Sequence, residues 1–339
     1  MEDSFTVSKV PKIITIGSAT QDVFLLDHDD FTTRKLDGKT VFNRITLGSK
    51  IKIDHALMST GGGGTNVAVT FARSGYDTIY VGSVGDDLAG NTVVEALEGD
   101  IIDTRYVRTR KNTGTGYSTI LLAPNGERTV LAVKGASKTF AGIDFGKIIS
   151  TEKPNWIYIT TLAGDMKSLA KIVNSAKTNG VKVFFNPGDS EIDQIKELLP
   201  ILKNIDIISV NEEEAERLLK KAKIRKTWKK YLNTGGKFGT KIGAIVSHGP
   251  KGAYFTTGEK LYFAGLYSNE KPIDRTGAGD SFGSGFLAEY IRTDGNIERA
   301  LTFAGANSSS VVMFVGAKEG ILPAGAKLKK MPIVVKNVK

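Results

Sequence analysis

The sequence predicts an α/β protein built in layers, a mostly parallel central sheet flanked by helices and topped by a small β lid. Three observations carry that expectation. Short β-branched and aromatic runs alternate with helix-length segments. Two stretches in the N-terminal half break this alternation with weaker, strand-like patterns. Glycine-rich turns run directly into helical patterns at two places far apart in the chain.

The expected strands of the main sheet are Ile13–Gly17, Thr78–Gly82, Trp156–Thr160, Val181–Phe185, Asp206–Val210 and Ala244–Ser247. Helices are expected over Thr65–Ser74, Leu88–Leu97, Met166–Thr178, Ile192–Leu202, Glu212–Lys221, Ala278–Ile291 and Ile297–Val312. The first interruption, Phe24–Met58, is polar and Thr-rich. The second, Tyr117–Val133, reads as a hairpin about Pro124-Asn-Gly126, because Asn-Gly supplies the positive φ angles of a tight turn. We expect these segments, about 23–60 and 105–135, to form a lid inserted into a single domain spanning 1–339, and inserted lids commonly cover substrates.

Composition excludes several classes. With 40% hydrophobic and 24% charged residues in 339, the chain is an ordinary globular one with material for a sizeable core. Without cysteine it has no disulfide, thiolate metal site or thiol nucleophile. Three histidines without a partner pattern speak against a His-based metal site or a Ser-His-Asp triad. The start, MEDSFTVSKVPKIITIG, lacks the basic and apolar regions of a secretory signal, and no run is long enough to span a bilayer, so we expect a cytoplasmic protein with no membrane contact. The net charge of +10 is concentrated in Lys220–Lys230 and the C-terminal tail. We read these as solvated faces and expect no nucleic-acid partner; a basic protein also attracts a small anion.

The most informative segment is Pro272-Ile-Asp-Arg-Thr-Gly-Ala-Gly-Asp-Ser-Phe-Gly-Ser-Gly-Phe286. A glycine turn entering a helix leaves the first N–H groups free, and the helix dipole adds positive charge there. Such a terminus holds an anion. Gly277, Ala278 and Gly279 line that turn, and Asp280 falls in the first helical turn; by itself it could simply cap the helix. Two better-known glycine motifs do not fit. Gly38-Lys-Thr40 ends like a phosphate-binding loop, but Thr33 replaces its first glycine. Gly277-Ala-Gly279 would need glycine or alanine at 282 for dinucleotide binding, and Phe282 stands there.

The second constellation is Gly61-Gly-Gly-Gly-Thr-Asn66, followed by Val81-Gly-Ser-Val-Gly-Asp-Asp-Leu-Ala-Gly90. Its glycines give another close-approach loop, and Asn66 offers a donor and an acceptor, as a sugar hydroxyl needs. The two segments together resemble both halves of the PfkB (ribokinase-like) carbohydrate kinase family, G-G-x-x-x-N with V-G-x-D-x-x-G early and D-x-T-G-A-G-D-x-F late. The resemblance covers nearly the whole chain, with the motifs in the family's order. It implies an open α/β sandwich with a β lid, ATP and Mg²⁺ as cosubstrate and metal, and Asp280 as catalytic base beside an anion hole at Gly277–Asp280.

Further positions follow from the resemblance one at a time. Asp22, in Gly17-Ser-Ala-Thr-Gln-Asp22, matches the family's sugar-binding acid, with Gly62, Gly63 and Asn66 completing the acceptor site. Asn211 and Glu214 in Val210-Asn-Glu-Glu-Glu214 look like N-x-x-E, near Mg²⁺ waters and phosphates, although an acidic first helical turn reads the same way. Ser247-His-Gly-Pro-Lys-Gly252 is similar to the loop along the nucleotide, which assigns Ser247, Gly249 and Gly252 to ATP, and Asn307 falls near the adenine side. Asp274, Thr276 and Gly316 match a monovalent-cation site, implying K⁺. Arg275 departs from the small polar residue often found there.

The acceptor is expected to be a small sugar. Phe184-Phe-Asn-Pro-Gly188 is similar to the N-P stretch of ribokinases, whereas Gly63 stands where they usually carry lysine. A nucleoside is the alternative acceptor, and a non-catalytic regulator on the same fold is the alternative of another class. A homodimer joined through the lid is also expected.

Overall fold

The computed structural model describes residues 10–26, 33–37, 39–42, 48, 50–123 and 126–338. In chain order the strands are β1 (Lys12–Ile16), β2 (Thr20–Leu26), β3 (Thr33–Leu36), β4 (Lys39–Phe42), β5 (His55–Gly61), β6 (Asp77–Gly85), β7 (Asp103–Arg110), β8 (Gly116–Leu122), β9 (Arg128–Val133), β10 (Trp156–Ile159), β11 (Lys182–Phe185), β12 (Ile207–Asn211), β13 (Gly243–Ser247), β14 (Ala253–Thr256), β15 (Lys260–Ala264) and β16 (Ile333–Asn337). The helices are α1 (Gly63–Arg73), α2 (Leu88–Gly99), α3 (Phe145–Glu152), α4 (Met166–Thr178), α5 (Asp189–Asp193), α6 (Ile195–Leu202), α7 (Glu212–Lys221), α8 (Trp228–Asn233), α9 (Ala278–Arg292) and α10 (Ile297–Val311).

The main sheet has ten strands in the order β16-β15-β14-β13-β12-β11-β10-β1-β6-β7. From β13 to β7 its neighbours are parallel, while β14 to β16 extend the edge antiparallel. Parallel strands are covered on both faces and so read as continuous apolar runs. In β1, Ile14 and Ile16 enter the core beneath α3, α4, α6 and α7, while Ile13 enters the opposite core with α1, α9 and α10. The strand period of two thus splits each strand between two layers. Each fully buried Ile, Leu or Phe in them contributes roughly 1.5–3 kcal/mol.

The lid is a second sheet in the order β5-β2-β8-β9, with β3-β4 a separate two-stranded pair. Several expectations shift here. Residues 105–110 belong to β7 in the main sheet, so the second lid segment begins at β8. Asp22 lies within β2, the start of the lid. The expected turn residues 124 and 125, and parts of 23–60, lie outside the described residues.

Elsewhere, α4 and α7 have the expected limits, and the helix expected over Ile192–Leu202 divides at Gln194 into α5 and α6. The basic run 220–230 is not one solvated face: α7 ends at Lys221, and Trp228, 5% exposed, anchors α8 in the core.

Candidate active site

Strand order reverses around β1, which has β10 on one side and β6 on the other. In open α/β sheets ligands bind beyond the carboxyl ends of the strands at such a switch point. Gly17 follows β1 and Thr160 follows β10. A Cβ on Gly17 would stand 1.9 Å from Thr160 Oγ1 and 3.0 Å from the Gly64 backbone, so the glycine loop 61–64 is packed into this crevice. Gly62 makes the turn, with φ +96 and a position where a Cβ would strike the Ser18 carbonyl at 2.5 Å. Gly63 N donates to Ser18 Oγ (3.0 Å) and Gly64 N to Ser18 O (3.1 Å). The Gly63 and Gly64 amides are therefore spent on Ser18, and the next polar side chain of the segment with an unpartnered atom is Asn66.

Asn66, on α1, donates through Nδ2 to Asp280 Oδ2 at 2.9 Å and leaves its buried Oδ1 without a partner among the described residues. Thr160 Oγ1 and Tyr158 Oη are buried and unpartnered in the same way. Unsatisfied buried polar atoms are rare and mark places where a ligand or water completes the set.

Asp280 is the third residue of α9, whose N-cap Gly277 has φ +75 and packs so that a Cβ would meet Ala317 Cβ at 2.5 Å. Ser281 N returns to Gly277 O, and the amides of Gly279 and Asp280 have no partner among the described residues. Free amides at a helix N-terminus can hold an anion, and here a carboxylate stands in the same first turn. Burial of the carboxyl pushes the Asp280 pKa up, opposed by the Asn66 hydrogen bond and the charge of Lys318.

Asp22 is 6% exposed, and Thr20 Oγ1 donates to its Oδ1 at 2.9 Å. Its carboxylate lies over Gly61, where a Cβ would approach Oδ2 to 1.9 Å. Burial raises its pKa, with hydrogen bonds from Ser118 and Thr20 and the charge of Lys318 acting the other way. The lid thus presents Asp22 toward the crevice that holds Asp280.

Asp274 is fully buried and accepts from Thr276 N (2.9 Å), Thr276 Oγ1 (2.7 Å) and Gly316 N (3.0 Å). The three residues expected at a cation site do meet, although Gly316 meets Asp274 through its amide. Arg275, between them, reaches the lid: Nη1 stands 3.0 Å from Glu127 Oε1, and Gly126 packs against Pro272 O.

The nucleotide-side expectations fare unevenly. Asn211 and Glu214 close a reciprocal cap on α7, Glu214 N to Asn211 Oδ1 at 2.9 Å and Asn211 N to Glu214 Oε2 at 2.8 Å. Burial raises the Glu214 pKa, and the charges of Asp189 and Glu213 add to that. Ser247 pairs with Asn211 across β12 and β13, which brings them to the same strand ends. Gly249 is exposed with φ +54. Gly252 has a packing reason of its own, since a Cβ would meet Ala264 O at 2.1 Å. Asn307 needs correction as an adenine-side residue: it is fully buried, its Nδ2 donates to Ser281 O and its Oδ1 accepts from Leu322 N. Its amide is consumed in joining α10 to α9 and the C-terminal segment.

Sequence reasoning missed Thr20, Ser118, Thr160 and above all Lys318. Lys318 is 6% exposed, and its Nζ donates to Thr60 Oγ1 at 2.8 Å. Burial drives its pKa down to about 7 against the charges of Asp22, Asp100 and Asp280. Its only sequence signal was its place two residues after Gly316, in a stretch valued for its backbone alone.

Comparison with known proteins bears on the family and the fold. The chain is 27% identical to a ribokinase of Staphylococcus aureus (strain COL), over 91% of this chain and 96% of the relative. It is 31% identical to an ATP-dependent ribose-1-phosphate kinase of Halopiger xanaduensis, over 73% and 78%. The structure of Arabidopsis thaliana ribokinase complexed with ribose and ATP superposes with a TM-score of 0.73 at 25% identity, covering 93% and 96%. Residues 31–324 match the pfkB family carbohydrate kinases, a span that holds the Asn66 loop and the Asp280 helix alike, and the chain belongs to that family.

Proposed function

We propose that the protein transfers the γ-phosphate of ATP to a hydroxyl of a small, ribose-like sugar, with Asp280 as the base. The observation that carries this reading is the Asn66–Asp280 hydrogen bond, which joins the glycine loop of the acceptor side to the anion site of the phosphate side. Phosphoryl transfer needs an aligned hydroxyl, stabilisation of γ-phosphate charge and exclusion of water. Asp22 accepts from two neighbouring hydroxyls, Asn66 orients a third contact, and Asp280 takes the proton of the attacking one. The free amides at the start of α9 meet the charge that develops on the phosphate. The lid, pinned by Arg275–Glu127, keeps water out.

Among the described residues no cluster of three metal-binding side chains exists. Mg²⁺ is usually held by phosphates, waters and one or two carboxylates. Glu214 fits the role, because its neighbours Asp189 and Glu213 create a negative field that a cation relieves. When bound, Mg²⁺ neutralises phosphate charge. Asp274, a buried carboxylate supported by neutral donors, would likewise suit K⁺ near Gly316.

A ribose-like acceptor is supported by the ribokinase relatives and by the small polar set around Asp22. A nucleoside needs an aromatic to stack on its base. Phe24 is instead fully buried beside Gly316, Tyr117 lies on the face of the lid away from Asp22, and the Phe42 side chain lies outside the described residues. The same outer face carries exposed Met58, Leu131 and Val133, which supports a homodimer through the lid. A purely regulatory role would leave Asp280 without a purpose.

The test is ATP consumption with Mg²⁺ across a panel of pentoses, hexoses, sugar phosphates and nucleosides, with and without K⁺. Turnover on a pentose is expected. Binding of a sugar with no turnover on any acceptor would reject the kinase reading.

A further inference from the structure

The segment Gly316–Lys318 touches three parts of the site in succession. Gly316 N holds Asp274, Ala317 fills the space against Gly277 at the start of α9, and Lys318 passes beneath the glycine loop to Thr60. Thr60 is next to Gly61, over which the Asp22 carboxylate lies, and Thr65 Oγ1 ties Gly61 O to the helix that carries Asn66. The lysine backbone is fixed as well: its carbonyl accepts from Arg73 Nη1 at 2.7 Å, and Arg73 is held by both oxygens of Asp100.

A buried ammonium with a single hydroxyl partner is costly, because a charge taken out of water must be compensated. The compensation is electrostatic. The charged groups facing Lys318 are Asp22 from β2, Asp280 from α9, Asp100 after α2 and Arg73 from α1. Of these, Asp100 already serves Arg73. Asp274 in turn faces Asp22 and adds negative charge on that side. Among the described residues, Lys318 is also the one cation whose charge acts on both Asp22 and Asp280.

We infer that Lys318 is a positioning residue of the acceptor site: anchored on Thr60 and Arg73, it fixes the end of β5 beneath Asp22 and supplies the positive charge that both site carboxylates face. Removing the charge loosens Asp22 and favours the protonated form of each carboxylate.

The inference rests on the kinase reading above, and the experiment separates the two. Lys318→Met keeps most of the length of the unbranched side chain and removes the charge. With the pentose that the wild type phosphorylates, its acceptor KM is expected to rise about tenfold while the KM for ATP stays within about twofold. The acid limb of its kcat/KM profile moves up by about one pH unit. Its Tm holds or rises, because a buried charge is gone. Thr60→Val, which keeps the lysine and removes its anchor, raises acceptor KM by less, and Lys318→Arg retains the position of the acid limb. Wild-type turnover with an unchanged acceptor KM and acid limb in Lys318→Met overturns the inference alone. Loss of activity in step with a lower Tm also overturns it, as a merely structural role. Absence of wild-type turnover on every acceptor removes the kinase reading and this inference with it.

Discussion

Asn66 and Asp280, 214 residues apart, share a 2.9 Å hydrogen bond in which the amide donates to the carboxylate. The bond engages one oxygen of Asp280 and leaves the other for the hydroxyl that we propose attacks. Asp280→Asn should lower kcat by at least about 10²-fold with little change in the KM for ATP, since positioned base catalysis contributes roughly 10²–10⁴-fold. Steady-state kinetics with both substrates measures it; near-normal turnover would displace Asp280 from its role.

The raised pKa of Asp280 has a definite sign in both activity and stability. The base acts when ionised, so kcat/KM falls on the acid side at a pH above the ordinary aspartate value. A carboxyl whose folded pKa exceeds its unfolded one favours folding only at low pH, and that contribution is lost as pH rises through the folded pKa. Asp280→Asn should therefore raise Tm at neutral pH, with the gain vanishing below the unfolded value near 4. Thermal scans across pH show it; a Tm gain that persists at low pH would contradict the linkage.

Gly277→Ala meets two obstacles, a φ of +75 and Ala317 Cβ at 2.5 Å. A loss of about 1–3 kcal/mol in stability and a larger fall in kcat than in ATP affinity are expected, because the displaced turn carries the anion-site amides. Denaturant titration and kinetics test both; an active, stable variant would mean that the turn is not held as described.

Arg275 and Glu127 are partly exposed, so their ion pair is a modest latch. Arg275→Ala should raise acceptor KM by up to about fivefold, and high salt should narrow the gap from wild type, as expected for an exposed pair worth about 1 kcal/mol or less. A salt-independent difference would assign the effect to packing at Gly126 and Pro272 instead.

Glu214→Gln keeps an acceptor for Asn211 N, so the α7 cap and the Tm should survive. The Mg²⁺ concentration giving half-maximal rate should rise several-fold, on the order of 1 kcal/mol of lost charge interaction. An unchanged Mg²⁺ requirement would leave Glu214 a capping residue only.

The parts of this protein that were legible in sequence are those with a strong local cause. The apolar runs of β1, β10 and β12 had to be buried on both faces, and Gly277 and Gly62 had to stand where a Cβ cannot. The parts that were not legible depend on distant partners. Nothing near Lys318 announces that Thr60 lies at the end of its side chain, and nothing near Asn307 announces that Leu322 and Ser281 consume its amide. β7 was drawn into the lid because its alternation suits any sheet, and only its pairing with β6 decides which. Asn211 and Glu214 show the remaining difficulty, since a capping box and a metal-side motif use the same residues at the same spacing.

The Asn66–Asp280 bond also fixes when in the life of the chain this machinery can exist. By the time β13 has left the ribosome, the whole parallel part of the main sheet has been synthesised, with β1 between β10 and β6. The anion site, the base and the lysine beneath Asp22 all lie in the last third, from Asp274 to Lys318. A growing or prematurely ended chain can thus hold the glycine loop and Asp22 while lacking the helix start and the carboxylate at which we place phosphoryl transfer. On the proposed reading, phosphoryl transfer waits until the chain extends through Lys318.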